Sequence, residues 1–333
     1  MNVLTLLACH SNSPIKVQAI LHNLPFLFEI SGTVVLINST EFNGILEPKM
    51  VDPRVIVNDV LSDALCRAYK TAHADLNRMS NAELRHHWKH HGKREKRTFG
   101  VPTRNLYFEY APNDKFVAHG KWLSYLKKTD CAPYDHFILT NDSFVVTRSL
   151  RAFKDLMAPG VEMVALLDSN QGPHHYPDFL RAYNPVGLRK LTAYFEAQRP
   201  NITDFLSVIT LYEIGSSHLF EPVRVLFRSP QASVNIHFDN AALVDYLTTK
   251  QYPVVKLKKI MSNEYPTTDL PPDFNSGEYR RLNADLSSFS DEGARAHFVK
   301  HGAAEGRPYK KNQTLQRLQF LDDYLKMTGF RLK

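Results

Sequence analysis

Cysteine is scarce in this chain of 333 residues. There are three, Cys9, Cys66 and Cys131, far apart and in no Cys-x-x-Cys pair. That excludes a zinc knuckle and a disulfide framework, and a reducing compartment is the simplest setting. Long apolar runs are missing as well. No stretch approaches the ~20 residues that a membrane span needs, so no stable membrane insertion is expected. The opening Met1-Asn-Val-Leu-Thr-Leu-Leu-Ala8 has no basic leader region, and its apolar run is too short for a signal peptide. A cytoplasmic protein is the expectation, and the Asn-x-Ser/Thr sequons at Asn38, Asn141, Asn201 and Asn312 are read as chance. An acidic excess is also absent: 41 Lys and Arg stand against 34 Asp and Glu, a net charge of +7. Such a balance suits an anionic partner, whether a nucleotide diphosphate, a membrane surface or a nucleic acid. Aromatics do not interleave with the densest basic run, residues 89–97, which counts against nucleic acid.

What is present is ordinary globular material, 43% hydrophobic and 23% charged, enough for one large α/β domain with a small appendage or for two modest domains. Residues 2–8 are apolar and strand-like. A polar turn, residues 9–13, leads to Pro14 at a first helical position after Ser13. Ile15, Ile20, Leu21 and Leu24 recur at helical spacing. Residues 33–37 form a second β-branched run ending in Asn38-Ser-Thr-Glu41. Strand, helix, strand, with polar residues closing both strands, predicts the opening of a Rossmann-type, mostly parallel sheet flanked by helices. Ligands of such sheets bind beyond the carboxyl ends of the strands, where His10, Ser11, Asn12, Asn38 and Glu41 would lie. Further strands are predicted at 105–110, 136–140 and 163–167, and helices at 121–127, 149–156, 186–197, 202–220 and 313–327. The Pro-rich stretch 261–277 reads as a linker.

The chain contains an internal duplication. Residues 69–97 align without gaps on 279–307 at an offset of 210. Eleven positions are identical, among them Tyr69 and Tyr279, His87 and His297, Gly92 and Gly302, and Arg97 and Arg307. Each copy reads as a two-helix unit with a Ser start and a Gly stop. Copies so far apart are an accessory module and not a solenoid. Their histidines lack acidic or thiol partners at metal-ligand spacing and are assigned to packing and hydrogen bonding inside the hairpin.

Three strings carry candidate chemistry. In Tyr134-Asp-His-Phe-Ile-Leu-Thr-Asn141-Asp142-Ser143 a hydrophobic strand delivers an acid to its exposed end. A strand-end carboxylate can hold a divalent cation against an anionic leaving group, although an Asp after a strand is commonly just a turn residue. Asp168, after the strand at 163–167, is a candidate general base or else a cap. Glu213, in the apolar Leu-Tyr-Glu-Ile-Gly string, sits where burial would raise its pKa into a useful range, or is a locally satisfied buried Glu.

Ala8-Cys-His-Ser-Asn12, the segment from Asn113 to Gly120-Lys121-Trp122, Leu139-Thr-Asn141-Asp142-Ser143 and Tyr212-Glu213-Ile214-Gly215 occur in the order found in a known family. Over roughly residues 1–230 the chain resembles the rhamnan-synthesis F type of glycosyltransferase. The repeated module resembles a short unit appended to bacterial glycosyltransferases. The resemblance implies a GT-A-like nucleotide-sugar fold and a role in glycan assembly, with Asn141-Asp142 standing where related enzymes carry Asp-x-Asp. It implies a UDP-, GDP- or dTDP-sugar as donor, a glycan as acceptor, and a divalent cation (Mn²⁺ or Mg²⁺) held by Asp142. The donor would meet His10, Asn12, Asn38, Asn113, Lys121 and Asn141, with Asp168 or Glu213 as base. The family pattern places an Asp before Gly120-Lys121-Trp122 where this chain has Ala118 or His119. The expected organisation is a transferase domain over 1–260 with the first module inserted at 61–97, a linker at 261–277, and the second module with the tail at 278–333. A non-catalytic glycan- or nucleic-acid-binding protein using the basic repeats is the alternative.

Overall fold

The computed structural model describes residues 1–10, 13–42, 61–92, 94–95, 97, 99, 104–170, 172–229, 236–237, 240–261, 270–271, 274–303, 307–309, 321 and 323–330. The strand–helix–strand opening is β1 (Val3–Ala8), α1 (Pro14–Ile30) and β2 (Thr33–Ser39). Pro14 begins α1, and Ser13 precedes it without a side-chain cap bond, so the fixed φ of proline sets the start. The first hairpin follows as α2 (Asp63–Ala72) and α3 (Asn81–His87). The chain continues through β3 (Asn105–Ala111), α4 (Val117–Leu126), β4 (His136–Asn141), β5 (Phe144–Val146), α5 (Arg151–Asp155), β6 (Met163–Leu167), β7 (Leu180–Tyr183) and α6 (Pro185–Gln198). A helical run comes next: α7 (Phe205–Ser207) passes into a π-helical Val208–Ile214 and a tighter turn at Gly215–His218. Then come β8 (Val223–Phe227), α8 (Asn240–Thr248), β9 (Val254–Lys256), α9 (Leu257–Met261), α10 (Ser276–Leu282) and α11 (Asp291–His297).

Seven of these strands form one sheet in the order β3-β2-β1-β4-β7-β6-β8. All neighbours are parallel except β7, which runs antiparallel to both β4 and β6. The fold is therefore α/β, with a Rossmann-type, mostly parallel sheet flanked by helices. β1, β2, β6 and β7 are buried along their whole length, as expected of strands covered on both faces. Alternate side chains feed two separate cores. Val3, Leu7, Val34, Leu36 and Ile138 join α1 on one face, while Leu4, Leu6, Val35, Ile37, Phe137 and Leu139 join α4 and α6 on the other. β5 and β9 form a small antiparallel sheet that pairs Phe144 with Lys256.

The duplication is structural. The second hairpin repeats the first at the same offset: a 3-10 turn at Ala74–Leu76 and again at Ala284–Leu286, then α3 and α11, then π turns at Trp88–Gly92 and Phe298–Gly302. In each, a buried Tyr hydroxyl meets a His Nδ1, Tyr69 with His87 at 3.1 Å and Tyr279 with His297 at 3.0 Å. Arg97 pairs with Asp75 and Arg307 with Asp285, both at 2.6 Å. Each copy has its own small core. Of the tail, Leu321, Tyr324, Leu325 and Phe330 pack into the large core with α1. Most of the expected linker, and residues 310–320, lie outside the described residues.

Candidate active site

Strand register builds the site. Ala8 of β1 is level with Ile37 of β2 and with Asn141 of β4. Successive strands therefore end together, between β1 and β4, where the chain changes direction across the sheet, the usual location of a ligand crevice. Just beyond, the His10 N–H donates to Asp142 Oδ2 at 2.6 Å. Asn141 Oδ1 accepts from the Ser143 N–H at 3.1 Å and from its hydroxyl at 2.5 Å, a local turn that fixes where Asp142 stands. Asn113 Nδ2 lies 3.4 Å from His10 Nε2, and the Asn113 N–H donates to Glu41 at 3.0 Å. Lys121, on α4 and only 2% exposed, ties the two strand ends by donating to Cys9 O and Ser39 Oγ, each at 2.6 Å. Burial lowers its pKa, and the charges of Asp142 and Glu41 work against that shift. Lys256 of β9 donates to Ser143 Oγ at 3.0 Å and lies over the Phe179 ring.

His10, Asn113, Lys121, Asn141, Asp142, Ser143 and Lys256 line a cleft of about 720 Å³, whose other wall includes Phe205, Val208, Ile209, Glu213 and Ile214 of the helical run. Glu213 belongs to that wall. Its backbone carbonyl accepts from Arg181 Nη2 at 3.0 Å, and its carboxylate from the Asp178 N–H at 3.4 Å. Burial pushes Glu213 up to about 7, helped by the neighbouring Asp178 charge and opposed by Arg181 and Lys256. Asp178 moves the other way. Burial alone would raise it, but the His119 ring at 3.2 Å and the charges of Arg181 and Lys256 hold it at about 2. The two carboxyls are thus pushed in opposite directions by their surroundings.

Of the residues singled out from sequence, His10, Asn113, Lys121, Asn141, Asp142 and Glu213 line this cleft. Asn38 does not; it is buried in β2. Asp168 does not either. It is buried at the end of β6, where it accepts from the Ser229 N–H at 2.5 Å and from Arg228 Nη1 at 3.0 Å. Asn12 lies outside the described residues. Asp178, His119, Lys256 and Lys16 also line the cleft, and sequence reasoning did not single them out for chemistry. Asp178 and Lys256 reach the cleft only through the antiparallel β7 and the small sheet, and His119 only through α4.

Among the described residues no group of three or more His, Cys, Asp or Glu side chains is placed to enclose a metal. Asp142 offers one carboxylate. Mg²⁺ commonly takes one or two carboxylates and fills its shell with substrate phosphates and water. A single carboxylate would hold such a cation only together with ligands from elsewhere. No described helix is long and apolar enough to cross a membrane.

No family model matches the sequence, and no curated protein matches it. Solved structures overlap it weakly. The galactosyltransferase LgtC, in complex with donor and acceptor sugar analogs, overlaps with a TM-score of 0.35 at 10% identity, over 96% of this chain and 100% of that one. GlyE, a glycosyltransferase of Streptococcus pneumoniae, gives 0.37 at 12% identity, over 93% and 66%. A glycosyltransferase involved in glycosylating the major capsid of PBCV-1 gives 0.34 at 10%, over 77% and 92%. Strand order and register, not these overlaps, define the architecture.

Proposed function

We propose that this protein is a glycosyltransferase that moves a sugar from a nucleoside-diphosphate donor to a hydroxyl of a glycan acceptor. One observation carries the reading: a strand-end carboxylate, Asp142, and a carboxyl poised near neutrality, Glu213, share a cleft with three lysines, Lys16, Lys121 and Lys256. The motif order shared with the rhamnan-synthesis F type supports it. Lys16, Lys121 and Lys256 supply positive charge for a diphosphate, and Asp142 is the protein's ligand for a donor-borne Mn²⁺ or Mg²⁺. When bound, that cation neutralises charge on the departing diphosphate. His10, Asn113 and Asn141 orient the donor beside it. Glu213 takes the proton of the acceptor hydroxyl as its oxygen bonds the anomeric carbon and the bond to the diphosphate breaks, which inverts the anomeric centre. Asp178 stays charged and keeps Glu213 basic.

Thermal unfolding with UDP-, GDP- and dTDP-sugars, each with and without Mn²⁺, tests the reading. One nucleotide class should raise the midpoint, more so with the metal, and Asp142→Asn should abolish the metal-dependent part. A flat response to all three classes would overturn the donor assignment.

A further inference from the structure

We infer that Phe205 forms an acceptor subsite at the mouth of the cleft, a stacking platform for the apolar face of an uncharged pyranose ring that precedes the reacting sugar. This rests on the transferase reading for the word acceptor, but not for the binding itself. Phe205 and Leu206 are 65% and 69% exposed, side by side on one short turn. An aromatic ring exposed at the border of a cleft offers its face to a ligand that enters the cleft. Phe205 lines the cleft and Leu206 does not.

Phe205, Ile209 and Glu213 follow one another at intervals of four on a single helical run, and all three line the cleft. They make a rail from the open mouth to the basic carboxyl. Eight residues span roughly 10–12 Å at helical rise, a length that suits two linked hexose rings. The inner ring then presents its hydroxyl to Glu213, and the outer ring lies on Phe205. The rail is rigid. Asp204 and Ser207 cap its start reciprocally, Lys115 Nζ holds the preceding Ile202 carbonyl at 2.7 Å, and the Tyr212 hydroxyl is anchored on Phe195 O at 2.9 Å. Ring stacking on a fixed aromatic uses the C–H face of a pyranose and needs no charge. The adjacent Asp204 carboxylate disfavours acidic sugars at this position.

The test uses the full chain on an array of neutral and acidic oligosaccharides, with phosphatidylcholine vesicles in parallel. Wild type should bind neutral di- and trisaccharides. Phe205→Ser should weaken that binding about tenfold, Phe205→Trp should restore it, and Leu206→Ser should leave it unchanged. Phe205 is exposed, so its variants should fold, and circular dichroism confirms this. The nucleotide-induced thermal shift is read on every variant. Array binding that depends on Phe205, in a protein that no nucleotide stabilises, keeps the subsite and removes the transferase reading. A normal nucleotide shift with Phe205→Ser bound as well as wild type removes the subsite alone. Wild type that binds no sugar, prefers acidic sugars, or binds vesicles through Phe205 also overturns the subsite.

Discussion

Glu213 and Asp178 carry the same functional group and respond to the protein in opposite ways. The Glu213 carboxyl titrates near 7 because burial and the Asp178 charge disfavour its ionised form. As the proposed general base it must be ionised, so kcat should rise with pH through about 7 and level off above it. Glu213→Gln should lower kcat by about 10²- to 10⁴-fold, with donor KM little changed, in steady-state assays. The same shift has a stability consequence. A carboxyl with a raised folded pKa binds its proton more tightly folded than unfolded, so its stabilisation is present at low pH and is lost as pH rises from about 4.5 to about 7. Asp178, held at about 2, contributes stability above the ordinary carboxylate range and loses it as pH falls towards 2. Melting curves over pH 3–8 should therefore show Glu213→Gln gaining on wild type as pH rises through about 4.5 to 7, and Asp178→Asn losing ground as pH rises to about 4 and keeping that deficit above it. Glu213 was legible from sequence because an acid inside an apolar string is conspicuous. Asp178 was not, because its partner His119 is 59 residues away in the chain and on another element.

At the scale of elements, the hairpins show why each copy stops at glycine. A Cβ on Gly92 would run into the Tyr69 hydroxyl and the Trp88 ring, and one on Gly302 into the Tyr279 hydroxyl. Gly92→Ala and Gly302→Ala should each cost about 1–3 kcal/mol by overpacking and should raise amide exchange within their own hairpin. Arg307→Ala, which breaks an exposed pair with Asp285, should change exchange little. Patterning located β1, β2, β3, β4 and β6 well, since long apolar runs need no context. It read 202–220 as one helix, but the chain starts the helix at the Asp204 cap and widens it into a π turn before Gly215. It did not find β7. There Arg181 interrupts a four-residue strand, and it is tolerated at 2% exposure because Ser216 Oγ and the Glu213 and Pro177 carbonyls accept its protons.

The molecule as a whole is closed by its tail. Phe330 meets the His22 ring with centroids 5.1 Å apart, and the Tyr324 hydroxyl lies 3.3 Å from Thr147 Oγ1. The large core thus depends on residues that follow both hairpins. Phe330→Ala should destabilise the protein by about 3–5 kcal/mol in urea unfolding, as a cavity in a shared core does. Tyr324→Phe keeps the packing and loses only the hydroxyl contacts, about 1 kcal/mol. A Phe330→Ala protein as stable as wild type would show that the tail is dispensable.

Sequence by itself determined the class of fold, the strand-end position of Asp142, the candidacy of Glu213 and the identity of the two hairpins. Each of these is written in local periodicity, in a run of neighbours, or in a repeat that can be aligned. Tertiary structure alone decided that Asp168 is bound by Arg228 and Ser229 away from the cleft, and that Lys256, Asp178 and His119 enter it. It also decided that Phe205 stands exposed at the cleft mouth. Those outcomes depend on which strand pairs with which and in what register, and on charges that meet only after distant segments pack. A pattern along the chain does not encode such distances.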